Sequence, residues 1–293
     1  MIPVLLTQIK TRDGMVLEGI FVRPKRKSRT ALIWLHGLSS RFSSGQPLIK
    51  ELATLCVKNG IGYFKFNNRG HGIATLGIKG SKTKNIVGGG FEKFEDCIFD
   101  IRAMIRFANK LGFKNIILAG HSTGANKALY YLYKNRDRKV KGVILLGPIS
   151  DIVVEIRHKG WLGLKKGLAI AERLKKENPQ ALMPRKYGIY TASRYLSLCK
   201  QGLAEDVFQY YNPRAKWTAL KSIRAPLAVI VGTRDEHLDR SPKTLIEAFR
   251  AHARNAKKFY GYVIKGAGHS FIKKEKELSK IIVNWIKNTL PKI

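Results

Sequence analysis

The sequence predicts an α/β protein: a mostly parallel central sheet flanked by helices and interrupted once by a helical insertion. Three observations carry this. Short apolar runs such as Thr30 to Leu35 (TALIWL), Val140 to Leu146 (VKGVILL) and Leu227 to Val231 (LAVIV) read as strands buried on both faces. Segments of helical period separate them, and strand–helix alternation implies a parallel sheet with right-handed crossovers. Between Ser150 and about Trp217 the strand rhythm disappears, then it returns.

Taken in order, residues 3 to 22 read as two strands around Arg12-Asp13-Gly14, since Asp-Gly between alternating apolar runs is a hairpin signal. The strand TALIWL follows and ends in His36-Gly37-Leu38. Residues 46 to 59 carry the helical period through Leu48, Leu52, Leu55 and Cys56, and Asn59-Gly60 stops it. Gly62 to Phe66 is a strand that opens into Asn67-Asn68-Arg69-Gly70-His71-Gly72, with an irregular stretch expected as far as Gly90. Phe91 to Leu111 is expected as one long amphipathic helix, with Phe94, Cys97, Ile98, Ile101 and Ile105 at spacings of three and four. A strand from Asn115, a turn at Gly120 to Gly124 and a helix through Ala128, Leu129 and Leu132 come next, and then VKGVILL. The segment 150–217 is broken by Pro179, Pro184 and Pro213 and is rich in aromatics. At about seventy residues it exceeds an ordinary crossover, so a helical cap inserted in the core is expected. The core is then residues 1–149 and 218–293. After LAVIV come a helix over 242–251, a strand over 259–264 and a closing helix over 275–290.

A chain of 293 residues can bury a full core without disulfides. Cys56, Cys97 and Cys199 are odd in number and form no C-x-x-C pair, which argues against a disulfide framework and a zinc site. No run of eighteen apolar residues occurs, and the N-terminal apolar run is too short for a signal peptide, so a soluble cytoplasmic protein is expected. The charge stands out: 55 Lys and Arg against 20 Asp and Glu give a formal +35. Steering of an acidic substrate, or an anionic partner, would account for it. Yet lysines are scattered through every segment, the pattern of a solvated surface, so weak nonspecific polyanion binding is expected rather than specific nucleic-acid recognition. No helix-turn-helix, zinc-finger or RNP motif is evident.

Within the turn Gly120-His121-Ser122-Thr123-Gly124 lies a G-x-S-x-G pentapeptide, placed between a strand and a helix, where such a turn projects the serine hydroxyl clear of the sheet. Ser122 is the candidate nucleophile. A serine hydroxyl is a poor nucleophile at neutral pH, so an imidazole must take its proton, and a carboxylate behind the ring must hold the tautomer. Asp235, in Gly232-Thr233-Arg234-Asp235 after LAVIV, and His269, in Gly266-Ala267-Gly268-His269 after the next strand, supply both types in the order Ser, Asp, His. Glu236 and Asp239 remain alternatives for the acid. Ligands of open α/β sheets bind outside the carboxyl ends of the strands, where these loops converge. Oxyanion donors are expected in the backbone N–H groups of Thr123, at a helix N-terminus, and Leu38. His36 is expected to be structural.

With L-H-G-L at 35–38, N-N-R-G-H-G at 67–72, G-H-S-T-G at 120–124, G-T-R-D at 232–235 and G-A-G-H at 266–269, the chain resembles the serine hydrolases of the α/β-hydrolase superfamily over nearly its whole length. It is similar in particular to the esterase, thioesterase and monoacylglycerol-lipase-like members with a helical cap. The resemblance implies hydrolysis of a small carboxylic ester or thioester through an acyl-enzyme, with no metal or organic cofactor. Family members often carry Asp where this chain has Asn67, a departure that bears on how Arg69 is held. The superfamily also contains peptidases, carbon–carbon hydrolases and perhydrolases, and a non-catalytic basic binding protein on the same scaffold is the competing class.

Overall fold

The computed structural model describes residues 3–79 and 83–290. Strands β1 (Leu5–Lys10) and β2 (Val16–Val22) form the antiparallel hairpin expected around Asp13-Gly14. They continue into β3 (Thr30–Leu35), α1 (Gln46–Lys58), β4 (Ile61–Phe66), α2 (Cys97–Lys110), β7 (Asn115–His121), α3 (Thr123–Asn135) and β8 (Val140–Leu146). The chain then passes through α4 (Asp151–Glu177), α5 (Ala192–Cys199) and the single turn α6 (Thr218–Lys221). It returns to the sheet with β9 (Leu227–Gly232), α7 (Pro242–His252), β10 (Phe259–Ile264) and α8 (Glu275–Thr289).

Eight strands make one sheet in the order β1-β2-β4-β3-β7-β8-β9-β10. Pairing from β4 to β10 is parallel, and β2 pairs antiparallel with both neighbours. The apolar runs are buried on both faces for the reason the sequence gives: successive side chains point to opposite sides, and each side is covered. In β3, Ala31, Ile33 and Leu35 join the core beneath α2, α3 and α7, whereas Leu32 and Trp34 join the core beneath α1 and α8. Residues between β8 and β9 gather a third apolar cluster of their own around Ile152, Leu164, Tyr187 and Tyr195.

Two local expectations are corrected. The stretch before Gly90 is not irregular throughout. It contains β5 (Thr75–Lys79) and β6 (Thr83–Val87), an antiparallel ribbon separate from the main sheet. Its alternation is hard to read because Leu76, Ile78 and Ile86 point outward, reversing the usual apolar-in pattern. The second helix begins at Cys97 rather than Phe91, after a single 3₁₀ turn at Phe94–Asp96. Residues 88–92 instead form a tight turn, with the Gly88 carbonyl accepting from the N–H groups of Phe91 and Glu92.

Candidate functional site

The strand register brings the candidate loops together. Leu35 pairs with Gly120, His121 with Leu146, Leu146 with Ile230 and Gly232 with Ile264, so five parallel-strand segments end along one edge. From β3 the chain winds first to β4 on one side and then to β7 on the other. The loops after β3 and β7 therefore lie at the switch point of the sheet, the place where ligands of open α/β sheets bind.

Ser122 follows β7 at that switch point with positive φ (φ 56, ψ −129), a conformation that costs a non-glycine residue about 1–3 kcal/mol. Its N–H donates to the Leu146 carbonyl at 2.9 Å, which fixes the residue to the neighbouring strand. Ser122 is the N-cap of α3, yet its hydroxyl makes no capping hydrogen bond and stays available for chemistry. Both flanking glycines are required by close approach. A Cβ on Gly120 would lie 2.2 Å from the Gly124 carbonyl oxygen, and one on Gly124 would lie 2.1 Å from the Leu35 carbonyl oxygen.

The loops after β9 and β10 are laced together. Thr233 N–H donates to the Ile264 carbonyl, Arg234 N–H to the Ala267 carbonyl, and Gly266 N–H to the Thr233 hydroxyl. Asp235 and His269 meet as a result, with His269 Nδ1 3.1 and 3.0 Å from the two carboxylate oxygens. Burial works to raise the Asp235 carboxyl, but the hydrogen bond and charge of His269 outweigh it and hold the pKa below its ordinary value. With the Nδ1 proton directed at Asp235, Nε2 carries the lone pair. Nε2 is buried and has no hydrogen-bond partner among the described residues, Ser122 included.

Of the alternative acids, Glu236 does not face the ring. Its Oε2 accepts the His269 backbone N–H at 2.9 Å. Asp239 is paired with Arg240 at 2.8 Å. Three further neighbours carry no signal in the sequence. The His121 Nε2–H donates to the His269 carbonyl at 2.8 Å, and the His237 ring meets the His269 ring edge-on at 4.5 Å. Gly147 lies against the imidazole, where a Cβ would come 2.9 Å from Cε1 and 3.0 Å from Nδ1. Only the position of Gly147 directly after a strand could have pointed to it.

His36 is structural, as expected. Its Nε2 accepts the Asn68 N–H at 3.1 Å, so Nδ1–H is the donor to the Gly37 carbonyl at 2.9 Å, and complete burial keeps the ring neutral. This clamp sets the loop that carries Leu38. A Cβ on Gly37 would lie 2.9 Å from the Ser122 Cβ, so the loop passes directly over the elbow. The N–H groups of Leu38 and Thr123 form no hydrogen bond with another described residue.

Asn67 accepts the Phe42 N–H at 2.8 Å and plays no part in holding Arg69. Arg69 is held by Asp100 at 2.8 Å and by Asp13 and Asp96 at 3.1 Å each. A second buried ionic cluster joins α3 to α5. Lys127 pairs with Glu92 at 2.6 Å, and Arg194 pairs with Glu92 at 3.2 Å and with Glu205. Arg194 Nε also donates to the Gly89 carbonyl at 2.9 Å, tying α5 to the turn before α2. Among the described residues, no group of three or more His, Cys, Asp or Glu side chains is placed to share a metal ion. No helix among them is long and apolar enough to cross a membrane.

A family model described as protein of unknown function, DUF1749, matches residues 87–290, more than half of the chain. The chain belongs to this family. No curated protein matches it. Solved structures do. The DUF1749 chain is similar to Est1E from Butyrivibrio proteoclasticus, with 18% identity, 97% of this chain and 98% of that one covered, and a TM-score of 0.64. It is similar to the Pyrococcus furiosus esterase Pf2001, with 17% identity, coverage of 99% and 92%, and a TM-score of 0.62. It is also similar to a soluble variant of the monoglyceride lipase from Saccharomyces cerevisiae, with 18% identity, coverage of 100% and 97%, and a TM-score of 0.66. At such identities the likeness establishes the fold, and this DUF1749 chain has the α/β-hydrolase fold.

Proposed function

We propose that the protein is a serine hydrolase that cleaves a small carboxylic ester or thioester through an acyl-enzyme. The observation that carries this reading is the His269 imidazole, held at Nδ1 by Asp235 with a bare Nε2, on the same strand-end edge as the uncapped Ser122 hydroxyl. Esterases and a lipase among the similar structures support the substrate class.

In this mechanism Ser122 Oγ attacks the acyl carbon while His269 Nε2 takes its proton, and Asp235 stabilises the imidazolium. The oxyanion accepts hydrogen bonds from the Leu38 and Thr123 N–H groups, which have nothing else to satisfy. Collapse expels the alcohol or thiol, which carries away the Nε2 proton. A water molecule then gives its proton to Nε2 as its oxygen attacks the acyl-enzyme, and the acid departs as the proton returns to Ser122. Residues 150–217 form the cap over a core of 1–149 and 218–293. No metal or cofactor enters the scheme. The free, buried cysteines Cys56, Cys97 and Cys199 agree with a reducing cytoplasmic setting.

The test is labelling with a fluorophosphonate probe, together with turnover of p-nitrophenyl esters and thioesters across a range of acyl lengths. Label on Ser122, lost with activity in Ser122→Ala, is the expected outcome. Folded protein that neither labels nor turns over any ester or thioester would overturn the reading.

A further inference from the structure

At Gly160 the backbone leaves helical geometry (φ 68, ψ 170) and divides α4 in two. The first residues past the break, Trp161 and Leu162, are 54% and 65% exposed. Trp34, Trp217 and Trp285 are at most 5% exposed, so Trp161 is alone among the four tryptophans in facing water. Burying either side chain would remove apolar surface from water, so the adjacent exposure of the two leaves favourable burial unmade. Farther along the helix, Lys165, Lys166, Arg173 and Lys176 are exposed, and spacings of three, four and seven place them on the helix face of Trp161 and Leu162. None of these four cations takes part in an ion pair among the described residues. Glu172, the acid among them, is occupied by Lys200 at 2.7 Å.

We propose that this face of α4 docks the protein on an anionic lipid surface, with Trp161 and Leu162 entering the interface and Lys165, Lys166, Arg173 and Lys176 meeting the headgroups. An indole with an aliphatic neighbour suits the boundary between headgroups and acyl chains, and flanking lysines and arginines add attraction to anionic lipid. The face complements an anionic surface and repels a copy of itself, which disfavours a symmetric dimer. A nucleic-acid partner would give Leu162 nothing to enter. The net charge of +35 draws the whole chain toward such a surface, while α4 supplies the orientation. The proposal is independent of the hydrolytic reading, because its test reads binding rather than turnover.

The test mixes the protein with phosphatidylglycerol-containing vesicles and with pure phosphatidylcholine vesicles. Trp161 is its own probe, because the other three indoles are already buried. On the anionic vesicles the emission shifts to the blue, and co-sedimentation falls about tenfold or more in Trp161→Ser/Leu162→Ser and in Lys165→Glu/Lys166→Glu. Reversing the same number of charges at Lys257 and Lys258, exposed elsewhere, leaves most of the binding. Equal losses in the two charge-reversed variants, or binding without a blue shift, would reduce the effect to net-charge adsorption and overturn the proposal. So would a dimer in solution that Trp161→Ser/Leu162→Ser dissolves.

Discussion

Gly147 closes the space beside His269 so tightly that the imidazole has no room to swing toward β8: a Cβ there would stand 2.9 Å from Cε1 and 3.4 Å from the Asp235 carboxylate. The glycine also has φ 49, which favours a residue without a Cβ. Gly147→Ala is therefore expected to push the ring off Asp235 and lower kcat/KM about a hundredfold, since a misplacement near 1 Å can cost that much. The stability loss should be much smaller, about 1 kcal/mol from the backbone alone. Ester turnover compared with thermal melting checks the separation of the two effects.

In the proposed mechanism Leu38 acts through its backbone N–H and not through its side chain. Leu38→Ala keeps the N–H and should retain most of the activity, whereas Leu38→Pro removes the donor and should lower kcat by about a hundredfold to a thousandfold. Unchanged fluorophosphonate labelling and kcat in the proline variant would remove Leu38 from the oxyanion site.

His121 supplies a pH dependence with a definite sign. Loss of water around the ring, with the nearby His269 next in importance, pushes its pKa down to about 4. An unfolded chain protonates this ring near 6.5, so between these values the unfolded state binds a proton that the folded state refuses. The stability is complete above about pH 6.5 and is lost as the pH falls toward 4, by at most about 3 kcal/mol from this group. His121→Gln keeps a donor for the His269 carbonyl and cannot titrate, so its denaturant midpoint should fall less than that of the wild type between about pH 7 and pH 4.5. Equal falls would remove His121 as the source.

Glu92 bridges Lys127 and Arg194 in full burial. Burial favours its protonated form, but the two cations outweigh that and hold the carboxyl below its ordinary value. Its contribution is therefore present above about pH 4.5 and is lost as the pH falls through the lowered value. Glu92→Gln leaves Lys127 without a carboxylate, while Arg194 keeps Glu205, and should destabilise the fold by about 3–5 kcal/mol. Glu92→Gln with Lys127→Met should cost less than the sum of the single changes, because the double change removes the cation that Glu92→Gln alone strands. Urea unfolding of the four proteins measures the coupling.

The strands, the elbow and the loops after β9 and β10 were legible because each leaves a local mark: an unbroken apolar run, a small-residue turn, a glycine at a strand end. The β5–β6 ribbon was not, since a ribbon with Leu76, Ile78 and Ile86 turned outward mimics an irregular loop. The start of α2 was misread for a related reason. Phe91 and Phe94 fit the helical period, but Glu92 is claimed by Lys127 and Arg194, distant partners that no local window contains. Gly147 and His121 escaped, and Glu236 was legible only as an alternative acid, because each acts through a neighbour brought close only by strand register. The role of Asn67 was equally invisible, as Arg69 draws its carboxylates from the β1–β2 turn and from residues 96 and 100.

The positive φ of Ser122 has a consequence for how this protein would respond to selection. A glycine there would relieve the backbone, so Ser122→Gly is expected to gain about 1 kcal/mol or more in thermal unfolding while losing all turnover. A search for heat-resistant variants that never assays hydrolysis would reward discarding the serine. Thermostability and activity pull this one position in opposite directions.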